Sequence, residues 1–294
     1  DALDAVAAEA GRVQAVSIRI NPVAAAGGGA MRMGGKPTAF GFDEEDLEAV
    51  VRAVEGQASL ALDGVHMFAG TQILDADVLA LQWRHGLAIA SRVAALVGRP
   101  LAAIDLGGGL GIPYHPGDAP LDLSRIRAAV PDLDAMRRAD PGIASARVVV
   151  EPGRYLVGAA GVYIARVTAT KVSRGRRFAV TDGGMHHHLA ASGNLGQVIK
   201  RDYPVVAANR MDEPEGAALT VVGPLCTPLD VLARQGALPD LGPGDLVAVL
   251  QSGAYGLTAS PVGFLSHDTP AEVLVDNGRH GLIRRRARAD ERFD

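Results

Sequence analysis

The sequence predicts an α/β protein in two parts, the C-terminal half of a (β/α)8 barrel followed by a mostly antiparallel β domain. Short apolar strands alternate with helical stretches up to about residue 160, a pattern typical of parallel strands joined by crossover helices. Further along the chain, strands follow one another across glycine- and proline-rich turns. We therefore expect two domains, residues 1–160 and residues 161–294.

Four strands and three helices are predicted in the first part. The strands are residues 16–21, 64–68, 103–107 and 148–151, and the helices are residues 43–54, 76–97 and 123–138. Asp43 is the expected N-cap of the first helix. Four strands cannot close a barrel, and a whole barrel takes about 250 residues, roughly 90 more than this part supplies. We expect the remaining strands to precede Asp1.

In the second part, strands are predicted at residues 162–172, 178–182, 219–222 and 246–250. Composition limits the classes of function. The formal net charge of −4 gives no reason to expect nucleic acid or an anionic membrane as partner. No apolar run approaches the roughly 18 residues that span a bilayer. Cys226 is the only cysteine, so an internal disulfide is excluded and a cytoplasmic location is expected.

A run of three glycines, Gly107, Gly108 and Gly109, follows the predicted strand at residues 103–107. Glycine has no Cβ, so the backbone N–H groups of such a turn can approach a phosphate closely. The alternative is an ordinary tight turn between a strand and a helix. On its own, the motif leaves both interpretations open.

A second motif, Glu151-Pro152-Gly153-Arg154, follows the next strand. The carboxylate can hold a cationic ring nitrogen, and the guanidinium can bind a phosphate or a carboxylate. A local ion pair beside a Pro-Gly turn is the alternative, and the motif alone favours it.

Two further motifs lie in the second part. Cys226 stands in a Gly/Pro-rich loop, where reactive cysteines are found, although a buried cysteine is the alternative. Tyr255 lies between small residues after an apolar strand, and its hydroxyl can reach a phosphate or a single buried partner.

In this order and spacing, the four motifs resemble the fold-III pyridoxal-phosphate decarboxylases, the ornithine, diaminopimelate and arginine decarboxylase group. The resemblance covers nearly the whole chain, including the runs at residues 19–22 and 64–72. The runs at residues 33–35, 181–188 and 252–261 are similar to those of the exosortase-associated subgroup. The resemblance implies an alanine-racemase-like barrel plus a β domain, pyridoxal 5′-phosphate as cofactor, and a homodimer with shared active sites.

The resemblance also implies a role for each motif residue. Glu151 would bind the pyridine nitrogen, and Cys226 would return a proton to Cα. The implied cofactor-binding residues are Arg19, Thr71, Gly107, Gly108, Gly109, Glu151, Pro152, Gly153, Arg154 and Tyr255. The implied substrate-binding residues are Arg154, Asp230 and Tyr255. A carboxylate at the ring nitrogen favours decarboxylation, whereas racemases of this fold use an arginine there.

Several positions depart from the family pattern. Phe68 replaces the histidine that stacks on the ring, and Thr227 replaces an acid after the cysteine. Ala190 and Asn194 replace the arginine and tyrosine with which diaminopimelate decarboxylases bind their substrate. The substrate is therefore expected to be another amino acid, free or bound to a carrier protein. The run of residues 186–188 holds three histidines, but adjacent residues on an extended chain face opposite ways, so no metal site is predicted.

None of the three lysines, Lys36, Lys171 and Lys200, matches the family's Schiff-base lysine, which lies on the first barrel strand. We therefore expect the 294-residue chain alone to be inactive, and a borohydride-trapped lysine adduct on it would contradict this. Two alternatives stay open at this point. One is an amino-acid racemase of the same fold, and the other is a non-catalytic homologue that pairs with an active chain.

Overall fold

A computed structural model of the chain describes residues 1–23, 31–32, 38–68, 70–115, 117–197 and 199–288. The chain divides into two compact units. The barrel unit comprises Asp1–Pro113 with Asp118–Tyr155, and the β unit comprises Tyr114–Gly117 with Leu156–Asp294. The boundary between residues 160 and 161 stays a prediction. The run at residues 33–35 and Lys36, both named in the sequence analysis, lie outside the described residues.

The barrel unit is built on a parallel sheet of five strands, in the order β3-β1-β4-β6-β7. Its strands are β1 (Gln14–Asn21), β2 (Met31–Arg32), β3 (Phe42–Asp43), β4 (Leu60–Met67), β5 (Gly70–Thr71), β6 (Ala103–Asp105) and β7 (Arg147–Val149). The two short strands β2 and β5 pair separately and antiparallel. Each of the four strands predicted from the sequence is present, with shifts of up to four residues at the ends.

The helices of the barrel unit are α1 (Ala2–Glu9), α2 (Leu47–Glu55), α3 (Ala76–Val97), α4 (Leu123–Ala139) and α5 (Gly153–Val157). The longest, α3, begins where the carboxylate of Asp75 accepts hydrogen bonds from two backbone N–H groups, and it ends at Gly98 in a left-handed conformation. Its buried face packs on the sheet and includes Leu79, Leu87 and Ile89. These contacts fix the carboxyl ends of the parallel strands, where the candidate site lies.

Asp43 stands at the N-cap position of the helical segment, as predicted, but its side chain makes no capping hydrogen bond. Asp43 precedes a 3-10 turn, Glu44–Asp46, and α2 begins only at Leu47. The carboxylate of Asp43 caps no helix and instead accepts a hydrogen bond of 2.8 Å from the side-chain amide of Asn21. A contact between distant parts of the chain therefore replaces the local cap that the sequence favoured.

The β unit contains a mixed sheet of six strands, in the order β10-β13-β8-β9-β11-β12. Its strands are β8 (Tyr163–Ser173), β9 (Arg176–Thr181), β10 (Val205–Ala207), β11 (Leu219–Val222), β12 (Val231–Gly236) and β13 (Leu246–Val249), and β14 (Glu272–Asp276) pairs separately with β15 (Arg279–Arg284). All the neighbours in the six-stranded sheet are antiparallel except β9 and β11. The predicted α/β class, a parallel part followed by a mostly antiparallel part, is confirmed. No helix within the described ranges is long and apolar enough to cross a membrane.

Candidate active site

The glycine turn after β6 is held by its neighbours so closely that side chains do not fit. Gly107 and Gly109 have positive φ angles of 68° and 95°. A Cβ on Gly107 would lie 2.2 Å from the carbonyl oxygen of Met67, and a Cβ on Gly108 would lie 2.3 Å from that of Glu151. The glycines are therefore required by the approach of two neighbouring strand ends.

The same turn presents backbone donors. The N–H of Gly107 is bound to the carboxylate of Asp105 at 2.9 Å. Among the described residues, by contrast, no acceptor takes a hydrogen bond from the N–H groups of Gly108 and Gly109. Backbone N–H groups in a folded protein are nearly always paired, so two such donors on adjacent glycines point to a ligand with oxygen acceptors.

The segment with Glu151 and Arg154 is fastened to this turn. The N–H of Glu151 donates to the carbonyl oxygen of Gly107 at 2.9 Å. The N–H of Leu106 donates to the carbonyl oxygen of Val149 at 3.0 Å. Arg154 follows in the first turn of α5 with its side chain half-buried. The structure thus brings together the glycine motif and the Glu151–Arg154 motif, which are more than forty residues apart in the sequence.

Three ionisable side chains converge at the ends of β4, β6 and β7. Nε2 of His66 lies 3.5 Å from Oε2 of Glu151, whose carboxylate is 50% exposed. One ligand atom each from His66, Asp105 and Glu151 lies within 4.8 Å of the other two. Such a group can meet a cationic ring nitrogen or a metal ion. No role in the site was predicted from the sequence for His66 or Asp105, because their convergence depends on the pairing of three strands.

Arg19, Phe68 and Thr71 lie at the ends of neighbouring strands in the same unit. The guanidinium carbon of Arg19 lies 5.6 Å from the ring centre of Phe68 and 5.0 Å from that of Phe40, so it is placed by two aromatic faces. Thr71 is half-buried on β5, and a Cβ on Gly109 would approach the carbonyl oxygen of Gly70 to 2.8 Å. The strand of Thr71 thus adjoins the glycine turn.

In the β unit, Cys226 is exposed on the loop between β11 and β12. The loop is held by Asp230, which is 2% exposed. Its two carboxylate oxygens accept hydrogen bonds from the N–H of Met185 at 2.7 Å and from the N–H of Leu225 at 2.9 Å. Burial raises the pKa of Asp230, and these hydrogen bonds offset the rise only in part. Asp230 therefore joins two loops beside Cys226.

Tyr255 and Asn194 complete the predicted positions in the β unit. Tyr255 is 48% exposed and has a positive φ angle of 55°, uncommon for a residue with a side chain. The amide of Asn194 donates to Oγ of Ser192 at 2.6 Å and to the carbonyl oxygen of Leu229 at 3.0 Å, while Nζ of Lys200 donates to its Oδ1 at 2.5 Å. The side chain of Asn194 is thus held by three hydrogen bonds to residues of the β unit.

The three histidines at residues 186–188 are buried. Nε2 of His187 donates to the carbonyl oxygen of Asp268 at 2.7 Å, and Nδ1 accepts a hydrogen bond from the hydroxyl of Tyr163 at 3.1 Å. Burial lowers the pKa of His188 to about 4 and raises the pKa of Tyr163. The run is therefore part of the core of the β unit, a location that its polarity does not suggest.

Comparisons with known proteins identify the family of the chain. The sequence profile of the family described as "Pyridoxal-dependent decarboxylase, pyridoxal binding domain" matches residues 1–158. An L-glutamyl-[BtrI acyl-carrier protein] decarboxylase of Niallia circulans is 39% identical over 292 residues, covering 98% of this chain and 68% of the relative. A diaminopimelate decarboxylase of Methanothermobacter thermautotrophicus is 33% identical, covering 92% of this chain and 62% of the relative.

Solved structures give the same result. The crystal structure of diaminopimelate decarboxylase from Helicobacter pylori complexed with L-lysine is 26% identical to the chain, with a TM-score of 0.81 over 98% of this chain and 68% of that one. The chain spans about two thirds of the length of these relatives. The family implies pyridoxal 5′-phosphate as cofactor, as the sequence analysis expected. The chain belongs to the pyridoxal-dependent decarboxylases.

Proposed function

We propose that the full-length protein decarboxylates an amino acid that is bound as a thioester to an acyl carrier protein. One observation supports this above the others: the 39% identity, over 98% of the chain, to a relative whose name specifies a carrier-bound L-glutamyl substrate. By the resemblance described above, Ala190 and Asn194 replace the two residues with which diaminopimelate decarboxylases bind their substrate. This replacement also favours a substrate other than diaminopimelate. L-Glutamate on a carrier is the substrate class to test first.

The described residues fit pyridoxal 5′-phosphate. Within the part of the chain that the structure describes, no acceptor takes the N–H groups of Gly108 and Gly109, and two such backbone donors suit a phosphate. Beside them, Glu151 and His66 form a polar group that suits a protonated ring nitrogen. When bound, the cofactor withdraws electrons from Cα as carbon dioxide leaves.

The residues of this chain then have separate tasks. Glu151 accepts a hydrogen bond from the ring nitrogen and keeps it protonated. The amides of Gly108 and Gly109, the guanidinium of Arg154 and the hydroxyls of Thr71 and Tyr255 bind the phosphate. A further set is proposed to shape the site around the cofactor: Arg19, Gly107, Pro152 and Gly153.

Cys226 is proposed to donate the proton that replaces the departing carboxylate on Cα. Its thiol is exposed, as a proton donor to substrate must be. We further propose that two copies of the full-length protein share their sites through this loop. Asp230 was predicted to bind substrate, but its buried hydrogen bonds to Met185 and Leu225 favour a positioning role for the loop that holds Cys226.

The direct test incubates the full-length protein and pyridoxal 5′-phosphate with L-glutamyl-carrier protein, free L-glutamate and meso-diaminopimelate. Release of carbon dioxide from the carrier-bound substrate alone is the expected result. Release from meso-diaminopimelate instead would overturn the proposed substrate class. Loss of optical activity without gas would identify a racemase. Borohydride trapping, applied both to the full-length protein and to the 294-residue chain, tests the expectation that this chain alone holds no Schiff-base lysine.

A further inference from the structure

The hairpin formed by β8 and β9 carries a basic stretch on a chain whose formal net charge is negative. Residues 171–177 include four cations and no acid, while the formal net charge of the chain is −4. Arg177 is paired with Asp240. Among the described residues, Lys171, Arg174 and Arg176 are exposed and have no ion pair. A local excess of unpaired positive charge on an acidic protein indicates an anionic ligand or partner.

The strand register places part of this charge on one face of the sheet. Lys171 lies opposite Phe178, and Ser173 lies opposite Arg176. Residues directly opposite each other in an antiparallel pair project from the same face, as do residues two apart on one strand. Lys171, Ser173, Arg176 and Phe178 therefore share one face, with Ser173 and Arg176 next to the hairpin tip and Lys171 and Phe178 one step further from it.

Three residues of this face, Lys171, Ser173 and Phe178, line a cavity of about 320 Å³, and Arg176 lies next to Ser173 outside the lining. The cavity is mainly apolar inside and is lined by Lys171, Ser173, Phe178, Val180, Val222, Gly223, Leu225, Thr227, Pro228, Asp230 and Val231. Pockets for small ligands begin at about 300 Å³ and combine apolar walls with a few polar groups. The cavity therefore has room for a slender, flexible ligand with a charged end at Lys171.

The loop that holds Cys226 also lines the cavity. Leu225 and Thr227, on either side of Cys226, both line the cavity, whereas the thiol itself is exposed to solvent. Asp230, which fixes this loop through the N–H of Leu225, lines it as well. A ligand in the cavity would contact the loop directly.

We propose that this cavity and its basic rim bind the 4′-phosphopantetheine arm of an acidic acyl carrier protein. The proposal rests on the proposed function, in which the substrate is a thioester on that arm. Lys171 and Arg176 bind the phosphate at the rim, because ammonium and guanidinium groups form charge-assisted hydrogen bonds with phosphate oxygens. Phe178 and Val180 contact the dimethyl segment of the arm, and its amide groups meet the hydroxyls of Ser173 and Thr227.

The test uses two small probes that differ only in the phosphate, L-glutamyl-S-phosphopantetheine and L-glutamyl-S-pantetheine. Their dissociation constants for the full-length protein are measured by calorimetry at low salt. The unmodified protein is expected to bind the phosphorylated probe about tenfold more tightly, the size of one charge-assisted contact. Lys171→Glu combined with Arg176→Glu removes this preference. Arg279→Glu, a matched reversal at an exposed arginine on β15, retains it.

A cavity-filling variant tests the apolar wall separately. Val180→Phe is expected to weaken both probes by a similar factor while leaving their ratio unchanged. Equal binding of the two probes by the unmodified protein, or an unchanged ratio in the double charge reversal, would overturn the proposal.

Measuring carbon dioxide release together with probe binding distinguishes a failure of this proposal from a failure of the proposed function. Carbon dioxide from the carrier-bound substrate, with no preference for the phosphorylated probe, means that the function stands and the cavity does not bind the arm. A phosphate preference that disappears in the double variant, without any gas from thioesters, means that the arm binds here and the proposed reaction is wrong.

Discussion

The barrel unit and the β unit hold their chemical groups by different means. In the barrel unit, Gly107 and Gly108 allow neighbouring backbones to meet, and hydrogen bonds between main-chain groups join them to Glu151. In the β unit, one buried side chain, Asp230, fixes the loop of Cys226. A backbone-held site tolerates no added atom, whereas a site held by one side chain depends on the charge and hydrogen-bonding capacity of that group.

The largest effect is expected from adding one methyl group to the glycine turn. In Gly108→Ala the new Cβ would lie 2.3 Å from the carbonyl oxygen of Glu151, so the backbone must move. We expect the free energy of unfolding to fall by about 3 kcal/mol, at the upper end for overpacking, and pyridoxal 5′-phosphate binding to be lost. Urea unfolding and the visible absorbance of bound cofactor measure the two effects.

Gly153→Ala is the matched control for stability, since a Cβ there meets no atom within 4 Å. Its unfolding should follow that of the unmodified protein. Equal stability of Gly108→Ala and Gly153→Ala would show that the barrel unit is not held by backbone approach.

The difference between the barrel unit and the β unit also explains which features can be predicted from the sequence. The glycine run and the Glu151–Arg154 motif follow predicted strands, so parallel pairing places them together, and their short-range pattern is visible in the sequence. The convergence of His66 and Asp105 with Glu151 required the register of three strands. The strands β10 and β12 were not predicted.

The role of Asp230 could not be predicted from neighbouring residues either. Its first partner, the N–H of Met185, lies forty-five residues away, and the second lies on the loop of Cys226. The buried histidines at residues 186–188 are a similar case, because polar residues in a row predict a surface loop. Contacts between side chains and distant backbone are set by tertiary packing, which no local pattern encodes.

A large effect of pH is expected in the β unit. Burial lowers the pKa of His188 from the ordinary 6.5 to about 4, so the folded protein resists a proton that the unfolded chain accepts. The free energy of unfolding is therefore highest above pH 6.5 and declines as the pH falls toward 4. The difference between the two pKa values corresponds to about 3 kcal/mol of that free energy. Urea unfolding between pH 7 and pH 4 should show this loss.

His188→Gln should flatten that pH dependence, while His280→Gln, at an exposed position on β15, should leave it in place. An equally steep decline in His188→Gln would assign the pH dependence to other groups.

A smaller effect is expected from Asp230→Asn, which leaves one of the two backbone N–H groups facing an amide donor. An unsatisfied buried donor costs about 1–3 kcal/mol, and we expect a loss of stability in this range. The loop of Cys226 should loosen as well. Cys226 is the only cysteine of the 294-residue chain, so the rate at which a thiol reagent labels the peptide that contains it reports on this loop, and we expect that rate to rise severalfold. Lost stability with an unchanged labelling rate would reduce Asp230 to a structural role.

The smallest effect is expected from Glu44→Gln, which changes the buried carboxylate of the barrel unit. Burial raises the pKa of Glu44, but its hydrogen bonds with His85 and the N–H of Val23, together with the charge of Arg92, outweigh burial and leave the pKa below its ordinary value. Its stabilisation is therefore present above pH 4.5 and is lost as the pH falls through the lowered pKa, whereas the raised pKa of Asp230 gives a contribution that is lost as the pH rises.

We expect Glu44→Gln to cost about 1 kcal/mol at pH 7, the net value of a typical hydrogen bond, because glutamine keeps one acceptor. The labelling rate of Cys226 should not change, which makes this variant the control for Asp230→Asn. Faster labelling in Glu44→Gln would mean that loosening either unit exposes the thiol. The loop of Cys226 would then be sensitive to overall stability, and the contrast between a backbone-held and a side-chain-held site would fail.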